Sequence, residues 1–142
     1  MSDLPIRCPN CKKQLQLNID EGRYHYVCGA CGKSAEAFVA KVRAKKSRAN
    51  RQRGMRSYSI RLLHSGIEDL IEFDGPYGEF EMRAGDWVVF GYDLKNRLSI
   101  LQNLTLRNYM AFPKPAGCLP LAIGLVAVLL LVFVVVAVVG SR

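Results

Sequence analysis

Two closely spaced pairs of cysteines constrain the fold of the first 34 residues more than any other feature of the chain. They follow the pattern C-x2-C-x16-C-x2-C and comprise Cys8, Cys11, Cys28 and Cys31. Two such pairs can complete a tetrahedron of sulfur atoms around zinc, with metal–sulfur distances of about 2.3 Å. So short a segment buries too little apolar surface to fold alone, so metal binding would supply most of its folding free energy. The pattern therefore predicts a structural Zn²⁺ site.

The residues between the two cysteine pairs have the alternation of short strands. The runs QLQLNI and RYHYV alternate apolar and polar side chains, and Asp20-Glu21-Gly22 between them is typical of a turn. Over residues 6–34 the chain resembles the zinc ribbon family, and the resemblance implies that the four cysteines are ligands between β-hairpins. Four thiolates leave no open coordination position. Iron in a rubredoxin-like redox centre is the alternative for the same ligand set. We expect His25 to be an exposed strand residue outside the metal site.

The C-terminal part of the chain is strongly apolar. No charged residue occurs between Ala116 and Gly140, and residues 121–139 are all apolar or small. As a helix, this stretch would span roughly 28 Å, close to the hydrocarbon thickness of a bilayer. The sequence therefore predicts a single C-terminal transmembrane helix at 121–139, preceded by a Pro-containing spacer at 113–120. We expect Cys118, at the membrane boundary, to be a small apolar residue at the start of the span; palmitoylation is the alternative.

The predicted anchor and the N-terminus together suggest a location. The first residues lack the apolar core of a signal peptide, so we expect a tail-anchored protein with cytosolic N-terminal domains, at the plasma membrane in a prokaryote. The cytosol is reducing, which favours metal ligation over disulfides for the paired cysteines.

Residues 35–56 are rich in good helix formers and contain no proline, so we predict a basic helix or linker. Residues 1–56 hold 13 basic and 4 acidic side chains. Three interpretations stay open: a solvated linker, a segment on an anionic membrane surface, or a nucleic-acid contact. The candidate residues for anionic-surface or nucleic-acid binding are Lys41, Arg43, Lys45, Lys46, Arg48, Arg51, Arg53 and Arg56.

Residues 57–112 alternate apolar and polar side chains between turn signals, which predicts about five short strands. The run AGDWVVFGYDLKNRLSILQNLTL resembles the last hairpin of OB-fold domains, although an SH3-like barrel would have a similar pattern. The OB resemblance implies binding through a strand face with Tyr77, Phe80 and Met82. The segment holds 8 acidic and 5 basic residues, which favours a protein partner over nucleic acid. We expect Phe73, Trp87, Phe90 and Leu101 to form the barrel core.

The predicted fold class is mainly β, with an N-terminal zinc ribbon (1–34), a basic helical linker (35–56), a small OB-like five-stranded barrel (57–112) and the C-terminal transmembrane helix. The sequence has no P-loop, G-x-S-x-G or H-E-x-x-H motif. We therefore expect a non-enzymatic, tail-anchored adaptor that presents the zinc ribbon and the barrel to a protein partner, such as a membrane protein. A membrane-tethered nucleic-acid-binding protein and an iron redox protein are the alternatives. In this modular arrangement, loss of a metal ligand would unfold residues 1–34 and spare the barrel.

Overall fold

The computed structural model describes residues 2–113, and these contain nine β-strands and no helix. Most strands are short, but β4 has 17 residues and is the longest. The strands are β1 (Ser2–Arg7), β2 (Gln14–Ile19), β3 (Gly22–Val27), β4 (Ser34–Asn50), β5 (Met55–His64), β6 (Ile67–Pro76), β7 (Trp87–Tyr92), β8 (Leu98–Asn103) and β9 (Asn108–Ala111).

The strands form two antiparallel sheets that meet at β4. Strands β1 and β2 make a hairpin of their own. The larger sheet has seven strands in the order β6-β5-β4-β7-β8-β9, and β3 pairs with the first part of β4. Strand β4 pairs with β7 from Glu36 to Lys41 and with β5 from Lys41 to Asn50. It therefore joins the cysteine-containing part of the chain to the rest of the sheet.

Two hydrophobic cores lie on opposite faces of β4. Phe38, Ala40 and Val42 belong to the larger core, inside the curled seven-stranded sheet. Ala37 and Val39 belong to a smaller core, where they pack with residues of β1, β2 and β7. The run AFVAKV is nearly continuous in apolar residues because the strand is covered on both faces, as in buried strands generally.

The larger core is closed by the approach of the two sheet edges. The aromatic rings of Phe73 on β6 and Phe112 after β9 are 5.6 Å apart between centroids, in an edge-to-face arrangement. Gly75 on β6 also faces the Met110 side chain of β9, since a Cβ at this glycine would lie 3.1 Å from Met110 Cε. The sheet is therefore strongly curved, with its first and last strands in side-chain contact.

The predicted basic helix at 35–56 is wrong. The segment forms most of β4, a turn at residues 51–54 and the start of β5. Its alanines, lysines and arginines favour a helix locally, but pairing with β3, β5 and β7 overrides this weak preference. The turn is set by Gly54, which adopts its φ of 60° without the steric cost that a side chain would add, and by Asn50 Oδ1, which accepts the Arg53 N–H at 3.2 Å.

The prediction of a separate OB-like five-stranded barrel is also wrong. Strands β5 to β9 do lie in this part of the chain, but they share one sheet with β3 and β4. The run EFEM at 79–82, predicted as a strand, is irregular. Its backbone is bonded to side chains instead of a neighbouring strand: Phe80 N–H donates to the Tyr58 hydroxyl at 2.9 Å, and Lys45 Nζ donates to Phe80 O at 3.2 Å.

Residues 2–113 include no helix of the length and apolarity needed to cross a bilayer. The predicted helix at 121–139 lies outside the described residues, as does the spacer beyond Pro113. The predicted fold class is thus corrected to all-β for the described part of the chain.

Candidate metal centre

The four cysteines of the two pairs converge on one site. Their Sγ atoms all lie within 4.8 Å of one another. Cys8 and Cys31 are separated by 3.9 Å between sulfurs, and Cys11 and Cys28 by 3.8 Å. Tetrahedral zinc with 2.3 Å bonds separates its sulfur ligands by about 3.8 Å, so the spacing suits such an ion. The cluster can hold a metal ion, and it lies between the β1–β2 and β3–β4 connections.

The two cysteine turns share one backbone geometry. The N–H of the first cysteine donates to the carbonyl five residues later, from Cys8 to Lys13 at 2.9 Å and from Cys28 to Lys33 at 3.0 Å. The carbonyl of the first cysteine accepts from the residue four positions later, which is Lys12 in one turn and Gly32 in the other. Both of these residues have a left-handed backbone, with φ of 65° and 67°. The repeated turn presents both sulfurs of each pair to the same point.

Lys12 ties the first cysteine turn to the main sheet. Its Nζ donates to Pro9 O at 2.9 Å, to Ser99 O at 3.0 Å and to Ser99 Oγ at 3.1 Å. The Ser99 hydroxyl in turn donates to Pro9 O at 2.8 Å. Since Ser99 belongs to β8, these bonds attach the metal centre to a strand 87 residues away. Local sequence gave no signal for this role.

A second polar contact and a glycine complete this attachment. Gln102 on β8 is buried; its Oε1 accepts the Arg7 N–H at 3.0 Å and its Nε2 donates to Pro5 O at 2.7 Å. Gly91 on β7 lies below the turn, since a Cβ there would be 3.6 Å from Pro9 Cβ and 2.5 Å from Ile100 Cγ2. A polar residue in SILQN and a glycine in WVVFGY were the available sequence signals, because both interrupt apolar strands.

The thiols of the cluster differ in acidity. Burial raises the pKa of Cys8 to about 12. Burial acts in the same direction on Cys28, but the N–H groups of Ala30 and Cys31, together with neighbouring thiols, lower the pKa of Cys28 to about 7. Four thiolates this close would repel strongly without a positive ion among them, so metal binding must displace protons.

His25 and Tyr26, which precede the second cysteine pair, do not belong to the sulfur cluster. The His25 side chain is 84% exposed and its Nε2 lies 3.6 Å from Glu36 Oε2, as expected for an exposed strand residue. Burial, and then the charge of the four cysteines, raises the pKa of the Tyr26 hydroxyl. The Tyr26 hydroxyl therefore stays protonated and uncharged beside the sulfur cluster.

The eight basic residues predicted to bind an anionic surface differ in exposure and in pairing with carboxylates. Lys45 and Arg56 are mostly covered and lie 3.0 and 3.8 Å from the Glu79 carboxylate, so they hold the irregular segment after β6. Arg43 lies 3.5 Å from Glu68 on β6. The others are exposed on β4 or its following turn: Lys41, Lys46, Arg48, Arg51 and Arg53.

The aromatic face implied by the OB resemblance is not assembled. Phe80 and Met82 are buried in the larger core, while Tyr77 is exposed. Phe90 and Leu101 are fully buried there, and Phe73 packs against them. Trp87 instead packs partly buried against the smaller core.

Comparison of this chain with protein-family models, with curated proteins and with solved structures found no match, so neither the zinc ribbon nor the OB resemblance is supported by a known relative.

Proposed function

We propose that this protein is a non-enzymatic adaptor in which the four cysteines hold a structural Zn²⁺ and so position a protein-binding surface. A site saturated by four thiolates offers no coordination position to a substrate, which suits a structural role. The observation that carries the proposal is the grouping of exposed apolar side chains directly beside the second cysteine turn.

This second-turn surface is defined by Val27, Leu94 and the polar residues around them. Leu94 is 69% exposed and Val27 66% exposed, the highest values among the large apolar side chains of residues 2–113. Both line one depression of about 490 Å³. Val27 directly precedes Cys28, so its position depends on the metal turn. Because they share one depression, a single partner surface can bury both side chains together.

Charged pairs border the two apolar side chains. Arg23 Nη1 lies 2.7 Å from Glu36 Oε1, and the Asp93 carboxylate lies 2.7 Å from Arg97 Nη2. Arg23, Glu36 and Asp93 line the same depression as Val27 and Leu94. An apolar centre with a polar rim is the usual anatomy of a protein–protein interface.

The partner surface is tested by the double variant Val27→Ser/Leu94→Ser in the full chain. Cross-linking in native membranes should lose its specific products, while the metal content should stay unchanged. The matched control is Ile67→Ser/Leu70→Ser, which removes two similarly exposed apolar side chains from β6. Identical cross-linked products from the native chain and both variants would contradict the proposal.

We also propose that the apolar segment 121–139 holds the protein at a membrane. The support is the sequence alone, because a stretch this long and uncharged partitions into lipid. The full chain should stay in the membrane pellet after alkaline carbonate washing, and residues 1–115 alone should not. Equal recovery of both forms in the supernatant would contradict membrane attachment.

The nucleic-acid alternative is less well supported than a protein partner. It needs a positive surface whose counterions are released by phosphate contacts. Here Arg43, Lys45 and Arg56 already face carboxylates, and β6 carries acidic side chains in the same sheet. Retention on immobilised DNA or RNA that falls steeply with salt would favour this alternative instead.

A further inference from the structure

A cavity of about 520 Å³ is bounded by the β1–β2 hairpin and the β8–β9 hairpin. Two arginines line it, Arg7 from β1 and Arg107 from the turn before β9. None of its lining residues, all within residues 2–113, is acidic. Elsewhere Arg23 and Lys45 line cavities together with the carboxylates that pair with them. The Arg7–Arg107 cavity therefore carries two positive charges that no lining residue neutralises.

Arg7 is held in place by its backbone and by its side chain. The buried Gln102 accepts the Arg7 N–H at 3.0 Å and donates to Pro5 O at 2.7 Å, which fixes this part of β1. Arg7 Nη1 donates to Lys12 O at 3.2 Å, and the guanidinium carbon lies 4.3 Å from the centroid of the Tyr109 ring. A guanidinium has five N–H donors, so most of those of Arg7 are left for an anion.

Arg107 keeps all of its donors. The residue is exposed, and no hydrogen bond or ion pair with any of residues 2–113 engages its guanidinium. Four other arginines do lie beside carboxylates: Arg23, Arg43, Arg56 and Arg97. Because the planar guanidinium binds phosphate and carboxylate oxygens in bidentate fashion, two arginines without a carboxylate suit an oxyanion.

The same cavity has an apolar part. Leu4, Pro5 and Leu104 line it, and both leucines are partly buried against the smaller core, which fixes their positions. Apolar side chains beside two positive charges favour an anion with an organic substituent over a simple inorganic ion, because burial of the substituent adds affinity.

We propose that this cavity binds an organic phosphate monoester, with the phosphate at Arg7 and Arg107 and the organic part against Leu4, Pro5 and Leu104. Two positive charges match this group, which carries close to two negative charges above its second pKa of about 6. The site is separate from the second-turn surface proposed for a protein partner, since the two share no lining residue.

Isothermal titration calorimetry of the full-length, metal-loaded protein in a neutral detergent tests the proposal. The probes are n-butyl phosphate, inorganic phosphate and n-butyl sulfate, at equal ionic strength and above the second pKa of the phosphate. We expect saturable binding of n-butyl phosphate. Inorganic phosphate lacks the apolar part and n-butyl sulfate has a single charge, so each should bind about tenfold more weakly. No saturable binding of n-butyl phosphate, or an affinity no higher than that of either other probe, would overturn the proposal.

Phosphate monoesters occur both in soluble metabolites and in the head group of phosphatidic acid, so displacement of n-butyl phosphate distinguishes the two sources. Displacement by glycerol 3-phosphate would assign a soluble ligand. Displacement only by short-chain phosphatidic acid in mixed micelles would assign a lipid head group. Displacement by neither would refute the proposal, because both carry the group that the arginines should recognise.

The variant Arg107→Gln tests the assigned residues, since it removes one charge from an exposed turn. It should weaken the binding of n-butyl phosphate about tenfold or more. Arg7→Lys keeps the charge but loses the fork of donors, and should also bind more weakly. The matched control, Arg48→Gln, makes the same charge change at an exposed position of β4 and should keep the native affinity. Native metal content in each variant shows an intact fold. Native affinity in Arg107→Gln, or an equal loss in Arg48→Gln, would contradict the assignment.

Discussion

At the scale of single residues, Lys12 shows how an unfavourable backbone conformation is offset by side-chain hydrogen bonds to a distant strand. The left-handed backbone that Gly32 adopts freely in the second turn costs an L-residue about 1–2 kcal/mol, yet lysine occupies the matching position in the first turn. Its ammonium compensates through bonds to Pro9 and Ser99. The lysine therefore serves to dock the turn on β8.

Lys12→Met should lower the free energy of unfolding by about 1–3 kcal/mol, because it leaves the Pro9 and Ser99 carbonyls without their charged donor. Urea unfolding of the metal-loaded protein measures the change. Lys13→Met, at the exposed neighbouring position, should change the stability by less than about 0.5 kcal/mol. Equal stabilities of the two variants would show that Lys12 does not dock the turn.

Cys28→Ser should abolish stoichiometric metal binding, since a four-thiolate site that loses one ligand loses both charge balance and tetrahedral closure. Elemental analysis of the purified protein should give one zinc per native chain and far less for the variant. Cys118→Ser, which removes the cysteine outside the two pairs, should keep the native content. Iron in place of zinc would move the protein to the redox class, and full metal content in Cys28→Ser would refute the assigned ligands.

At the scale of strands, the cysteine turn can approach the sheet because β7 carries a glycine. Gly91→Ala should destabilise the protein by about 1–3 kcal/mol, because the new Cβ would lie 2.5 Å from Ile100 Cγ2 in a buried contact. Thermal or urea unfolding tests this expectation. Gly29→Ala is the control, since a Cβ there meets nothing within 4 Å. A variant at Gly91 as stable as the control would mean that this contact is loosely packed.

Sequence periodicity located some strands and missed the most important one. The alternating runs QLQLNI and RYHYV fall on β2 and β3, where short-range pattern and pairing agree. Strand β4 was predicted as a helix because AKVRAKKSRAN has helical composition, and only pairing with β5 and β7 makes it extended. The role of Lys12 depends on Ser99 of β8, 87 residues away, so no local pattern could have shown it. The cysteine cluster was predictable because its spacing is local.

At the scale of the whole molecule, the described residues form one unit. The sequence predicted separate modules, with the metal serving only residues 1–34. In the structure, β4 pairs with β3 beside the second cysteine turn and with β5 and β7 beyond it, and it contributes to both cores. The first turn is bonded to β8 through Lys12. Metal binding should therefore stabilise the main sheet as well as the N-terminal hairpins.

Hydrogen–deuterium exchange of the full-length protein, with and without a metal chelator, tests this coupling most directly. Exchange protection reports the free energy of local and global opening for each segment. We predict that removal of the metal accelerates exchange in β7 and β8 together with β1–β3. Strands β3 and β7 both pair with β4, and the bonds of Lys12 and Gln102 attach the first cysteine turn and β1 to β8. Accelerated exchange confined to residues 2–33, with β7 and β8 as protected as before, would contradict the account.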